Sequence, residues 1–159
     1  PAMAFLVHQV TRANQALLDA VEAAVFDHAI LPDRLAAYVA DPLHALFVAV
    51  ENQQVIGQAR GSVHLQPDRA SDLYIDNLGT APSRQRRGVA SELLAALLAW
   101  GESRGCAYAW VATELDNEGA KAFYASQRFA PDVIAMFALE AEDGRRLAPA
   151  KPALVRKSP

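Results

Sequence analysis

The residues between Asn77 and Ser91 have types and a spacing that can do chemistry. An apolar run ends at Leu78-Gly79-Thr80, and a polar loop, Ala81-Pro82-Ser83-Arg84, follows. Gln85-Arg86-Arg87-Gly88-Val89-Ala90-Ser91 then opens a helix. A helix start presents N–H groups that lack partners within the helix, and the helix dipole favours negative charge there. Gly88 and Ala90 keep the backbone open to a bulky diphosphate, while Arg84, Arg86 and Arg87 add positive charge. The segment is an anion cradle or, more plainly, a solvated basic loop before an ordinary helix. It lacks the first Gly and the Lys-Ser/Thr pair of a P-loop, and the glycine triplet of a dinucleotide fingerprint.

The elements that must position this loop follow from periodicity. Phe5–Val10 reads as a strand, and Thr11 as the cap of a helix running to Val25 with Leu17, Leu18 and Val21 on its apolar side. Pro32 opens a second helix that ends near Asp41-Pro42. His44–Glu51 and Val55–Gln66 form a hairpin across Asn52-Gln53-Gln54, with Gly57 and Gly61 weakening the second strand or allowing a bulge. Asp72–Thr80 is the next strand, and alternation puts Tyr74, Asp76 and Leu78 on one face of it. Val89, Leu93, Leu97 and Trp100 recur at helical spacing. Cys106–Thr113 is an apolar strand, Asp116-Asn117 caps a helix to Gln127, and Val133–Glu140 is a last strand. The sum is an α/β fold: a mixed central sheet of about six to seven strands with helices on both faces.

Composition narrows the function classes. With 159 residues, one domain is expected over 1–140, followed by a charged, Pro-rich tail over 141–159. A net charge of −3 argues against a nucleic-acid coat. The single cysteine, Cys106, excludes a disulfide framework and reads as a small core residue. No apolar run reaches ~18 residues and the first residues do not form a secretory signal, so no membrane association and a cytoplasmic location are expected. His8, His44 and His64 fall in separate strands without ligand spacing and read as structural, so no metal is expected. Trp100 and Trp110 read as packing residues.

The pattern Gln85-x-x-Gly88-x-Ala90 after Leu78-Gly79-Thr80 resembles the acetyl-CoA signature of the GCN5-related N-acetyltransferases, the GNAT family. A second element, Asn117-x-x-Ala120-x-x-x-Tyr124 and then Arg128-Phe129, stands where that family carries one. The resemblance covers residues 5 to 140, with Ala90 in place of the more usual second Gly and Arg128 in place of the Gly before Phe129. A looser similarity joins Val25-Phe26-Asp27-His28, Asp33-Arg34-Leu35 and Leu73–Thr80 to aminoglycoside 3-N-acetyltransferases of this fold, which commonly carry an acidic residue where Asn77 stands.

The resemblance implies direct attack of an amine on the thioester of acetyl-CoA, in a ternary complex, where two parallel strands splay apart. Backbone N–H groups near Leu78, Gly79 and Thr80 would bind the pantetheine arm and polarise the carbonyl. Gln85, Arg86, Arg87, Gly88, Val89, Ala90 and Ser91 would hold the pyrophosphate, and Asn117 and Ala120 the pantetheine. Tyr124 lies seven residues after Asn117, about two turns, so both share a helix face. Its phenol, with an ordinary pKa of ~10 against ~8.5 for a thiol, is a candidate acid for the departing thiolate; otherwise it is a half-buried core aromatic. An alkylammonium is no nucleophile, so a base is needed, and Asp76 and Glu114, at the ends of the two strands, are the candidates. Asp27 and His28 in the inter-helix connection, with Tyr74 and Asn77, would contact the acceptor.

The implied acceptor is a small cationic amine, an aminoglycoside among the candidates, which would make the protein an antibiotic-resistance enzyme. The alternatives are a protein N-terminus, a lysine, a polyamine or an amino acid, or a non-catalytic CoA-binding sensor. A homodimer is implied by the family alone.

Overall fold

Alternating apolar residues build one sheet, seen in a computed structural model that describes residues 4–139 and 141. Its strands are β1 (Leu6–Gln9), β2 (His44–Glu51), β3 (Gln54–His64), β4 (Ser71–Thr80) and β5 (Cys106–Trp110), lying side by side in that order. β1 to β4 pair antiparallel, and β5 joins β4 parallel. The helices are α1 (Pro32–Ala40), α2 (Val89–Ser103) and α3 (Glu118–Ser126). The α/β class is as expected, with five strands among the described residues rather than six to seven. The chain divides into two compact units, Pro1–Ala120 and Lys121–Pro159.

In the first unit, β2 and β3 meet through Asn52 and Gln53, whose φ values of 49° and 64° make the two-residue turn that suits the sheet's twist. One sheet face carries α2 at very short range. A Cβ on Gly57 would lie 2.8 Å from Val89 Cγ1, and one on Gly61 3.0 Å from Leu97 Cδ1. The two glycines let the helix approach, which is why a strand this long tolerates them. The opposite face is shared. Leu46 and Val48 are buried with Val10, Val25 and Val55 in an apolar cluster, against which Leu35, Tyr38 and Val39 of α1 pack. The remainder of that face is polar and forms the site described below.

Three expectations fail. The helix expected over 11–25 is only a 3-10 turn at Gln15–Asp19. Asn14 takes the local backbone instead, accepting from Thr11 N at 2.7 Å and donating to Gln9 O at 2.9 Å, and Val21 bridges Val55 in extended form. β5 stops at Trp110 rather than Thr113. The last strand expected over Val133–Glu140 is not formed over 133–139, which lack strand pairing, and Glu140 lies outside the described residues.

The second unit takes in the end of α3. There Phe129 N donates to Tyr124 O and Arg128 N to Ala125 O, both at 3.0 Å, closing the helix with the paired bonds of a Schellman turn. Arg128 holds the left-handed position at φ 67°, where the family motif has glycine. The turn keeps its form, and a Cβ sits where none is favoured. No helix of the described residues is long and apolar enough to cross a membrane.

Candidate active site

The loop before α2 is shaped by two backbone departures. Pro82–Arg84 forms a single 3-10 turn, and Arg86 and Gly88 take positive φ, 59° and 81°. Gly88 is the N-cap of α2 and no side chain caps the helix, so its first N–H groups are left to an outside acceptor. Nothing lies within 4 Å of where a Gly88 Cβ would stand. At the strand end before the loop, Thr80 Oγ1 is buried without a partner. An open glycine cradle, an uncapped helix start and an orphaned hydroxyl beside them fit the diphosphate arm of acetyl-CoA.

The arginines do not all face this cradle. Arg84 Nε pairs with Glu22 at 3.1 Å and its Nη1 with Glu51. Arg87 Nη2 pairs with the same Glu51 at 2.7 Å. Those bonds hold the carboxyls of Glu51 and Glu22 below their usual range, the Arg87 bond leading for Glu51 and the Ser83 bond for Glu22. Arg86 has no ion pair among the described residues, and Gln85 is exposed beside it.

Beyond the loop, β4 changes partners. Its pairing with β5 is recorded over Ser71–Tyr74, whereas its pairing with β3 continues to Thr80. From Ile75 to Thr80 the β5-facing edge of β4 is open among the described residues, so the parallel strands splay. At the same point β4 bulges: Gly61 pairs with Ile75 and Arg60 with Asn77, leaving Asp76 as the extra residue. The bulge overturns the simple alternation. Leu78 pairs with Ala59 on the α2 side, while Asp76 and Asn77 both turn to the polar face.

Asp76 is the centre of that face. Ser62 Oγ donates to Asp76 Oδ2 at 3.5 Å. The cleft floor desolvates the carboxyl in part and raises it above the usual range, against the pull of Arg60, His44, the Ser62 bond and His64. Burial, and then the charge of Asp76, push the Tyr38 phenol up. The Tyr38 hydroxyl reaches Ala45 O and Gly61 O, each at 3.3 Å, tying α1 to the sheet. Tyr74 and Trp110 stack with ring centroids 4.3 Å apart, and His64 flanks them at 5.8 and 6.0 Å.

His44, Arg60, Ser62, His64 and Trp110 share this face; in the sequence His44 and His64 read as structural and Trp110 as packing, and neither Arg60 nor Ser62 is singled out. His44 stands opposite Ser62, Ser62 opposite Tyr74, and Tyr74 opposite Trp110. The alternation of His44-x-Leu46 and Arg60-x-Ser62-x-His64 carries that row, but only once strand register is known.

The other expected acceptor residues are partly gathered here. Gln58, fully buried, donates to Asn77 Oδ1 and to Val25 O. Asn77 Nδ2 in turn donates to Asp27 Oδ2 at 3.2 Å, which fastens the segment before α1 to β4. His28 is exposed next to it. Glu114 is exposed in a turn after β5, its carbonyl accepting from Asn117 N at 3.1 Å. Asn117 caps α3 by accepting from Ala120 N at 3.0 Å. Tyr124 belongs to the second unit, where it lies 5.2 Å from the Phe123 ring and 5.5 Å from the Phe129 ring, and burial raises its phenol. The Cys106 thiol is raised by burial and by Asp72, the opposite of an activated nucleophile.

The fold recurs in known structures. An aminoglycoside acetyltransferase from an uncultured soil metagenomic sample, solved with trehalose, matches with TM-score 0.74 at 16% identity, over 87% of this chain and 97% of that one. A second, also from an uncultured soil metagenomic sample, matches with TM-score 0.76 at 21% identity, over 88% of this chain and 100% of that one. The aminoglycoside N-acetyltransferase AAC(6')-Iy, solved with the bisubstrate analogue CoA-S-monomethyl-acetylneamine, matches with TM-score 0.73 at 19% identity, over 86% of this chain and 98% of that one. At these identities the likeness is one of fold. No curated protein sequence matches the chain. The family model of the acetyltransferase (GNAT) family matches residues 11–129, and the chain therefore belongs to the GNAT family.

Proposed function

We propose that this N-acetyltransferase carries the acetyl group of acetyl-CoA to a primary amine of a small cationic acceptor, with an aminoglycoside as the favoured class. The observation that carries the reading is Asp76: a carboxylate at a β-bulge, beside the open edge of β4. The segment from Phe26 to Tyr38 supports a small acceptor over a protein one. It is fastened to the sheet by the Asp27–Asn77 bond, by Arg60 lying 6.0 Å over the Phe26 ring, and by the Tyr38 hydroxyl. A segment fastened over the sheet leaves less room for a polypeptide than an open groove would, and the exposed carboxylates of Asp27 and Asp76 suit a cation. Structural neighbours solved with sisomicin and with an acetylneamine analogue point to the same acceptor class.

When bound, acetyl-CoA supplies an acetyl group already activated as a thioester. Asp76 takes a proton from the acceptor ammonium, directly or through water, and leaves nitrogen with a free pair for the new N–C bond. Its raised carboxyl pKa makes it a stronger base than an ordinary aspartate. Donors on the open edge near Leu78–Thr80 stabilise charge on the carbonyl oxygen. By the family resemblance Tyr124, whose phenol burial keeps protonated, would serve as the acid for the departing thiolate. Glu114 is the second candidate base, and the loss of activity in Asp76→Asn against Glu114→Gln decides between them.

The test is CoA release, followed with a thiol reagent, over aminoglycosides, polyamines, amino acids and short peptides. Turnover on an aminoglycoside supports the reading. Turnover confined to peptides or amino acids discards the acceptor class, and acetyl-CoA binding without turnover on any amine favours a CoA sensor.

A further inference from the structure

Glu51 has only 7% of its side chain exposed, yet it carries a charge and binds two arginines, Arg84 and Arg87, from opposite ends of the diphosphate loop. Glu22 binds Arg84 from the other side and accepts from Ser83 Oγ. The two carboxylates are fixed by backbone pairing around one residue, Val55. Glu51 closes the tight turn that pairs Val50 with Val55. Glu22 N donates to Val55 O at 2.9 Å, and Val55 N donates to Ala20 O at 2.8 Å. The loop is anchored beside the same spot, since Ala81 N donates to Ile56 O at 3.0 Å. Ile56 is the extra residue of the bulge between the Val50–Val55 and Ala49–Gly57 pairs.

Three arginines within four residues would repel one another and spread a free loop. Two carboxylates, Glu51 on the β2–β3 hairpin and Glu22 on the segment paired with Val55, cancel two of those charges and leave Arg86 unpaired among the described residues. We propose that Glu51, assisted by Glu22, is a positioning residue for acetyl-CoA: it sets the loop geometry through Arg84 and Arg87, and neither arginine binds the phosphates through its guanidinium. The proposal rests on the reading of this loop as the acetyl-CoA cradle.

The experiment is calorimetric titration of the full chain with acetyl-CoA, beside steady-state kinetics. Glu51→Gln weakens acetyl-CoA binding about tenfold, as a misplaced binding loop should, with kcat and acceptor KM changed less than about twofold. Arg87→Met gives part of that loss, and adding it to Glu51→Gln changes little more, because the Arg87–Glu51 contact is already broken there. Glu22→Gln, which removes one of the two ion pairs of Arg84 and leaves the Arg84–Glu51 pair, gives a smaller loss of about threefold and covers the case in which Glu51→Gln does not fold. Unchanged or tighter binding in Glu51→Gln together with weaker binding in Arg87→Met overturns the proposal, since it would mean that Arg87 faces the phosphates and Glu51 restrains it. Gly88→Trp is run in parallel. If it binds acetyl-CoA like the parent, the cradle reading itself fails, an outcome distinct from failure of the Glu51 proposal alone.

Discussion

The loop from Pro82 to Ala90 and the floor around Asp76 are built in opposite ways. The loop is one continuous stretch whose chemistry comes from backbone conformation, with Gly88 in the left-handed region and an uncapped α2 behind it. The floor is a patchwork of side chains from β2, β3, β4 and β5, gathered by register and re-aimed by one bulge. A diphosphate is the same in every reaction of this family, so a backbone cradle suffices for it. An acceptor differs from enzyme to enzyme, and side chains on strands can change one at a time.

The largest effect is expected at the backbone of the loop. Gly88→Trp places a side chain where φ is 81° and fills the space that the phosphates need, so acetyl-CoA binding falls at least 100-fold by calorimetry. Next, Asp76→Asn removes the base on the floor and lowers kcat/KM about 10²–10⁴-fold, with acetyl-CoA affinity unchanged. It also fixes the sign of the pH dependence. The carboxyl is raised, so in the parent enzyme activity climbs as pH rises through a value above the ~3.9 of a free aspartate, and the variant loses that limb. Tyr124→Phe slows kcat about 10- to 100-fold at unchanged acetyl-CoA affinity, seen in single-turnover rates. Trp110→Ala removes the partner of Tyr74 and raises acceptor KM about tenfold with little change in the KM for acetyl-CoA. The smallest effect lies outside both regions. Arg128→Gly relieves the left-handed strain at the end of α3 and stabilises the fold by about 1 kcal/mol, a rise of a few degrees in Tm.

The same contrast explains what was legible in the sequence. The loop, α1, β2 and α2 could be read because each depends on neighbours in the chain: Pro32 at a helix start, a Gly88-x-Ala90 step, apolar residues at a fixed period. Of the floor, only the β4 residues Tyr74, Asp76 and Asn77 stood out in the sequence. His44, Arg60 and His64 look unrelated until pairing sets them in rows, and the displacement of Leu78 comes from one extra residue that alternation cannot foresee. The segment 11–25 misled because its apolar spacing suits a helix, while the Asn14 side chain and the pairing of Val21 with Val55 hold it otherwise. Arg84, Arg86 and Arg87 read alike as positive charge added to the cradle, since the partner of Arg84 and Arg87, Glu51, is more than thirty residues away.

The most direct test compares the parent with Asp76→Asn, measuring kcat/KM for the best amine and for acetyl-CoA from about pH 4 to about 9. The account predicts an acid limb in the parent above the ordinary carboxylate range, its absence in the variant, and equal acetyl-CoA affinity in both. An unchanged rate and an unchanged limb in the variant would contradict it and remove Asp76 from the centre of the site.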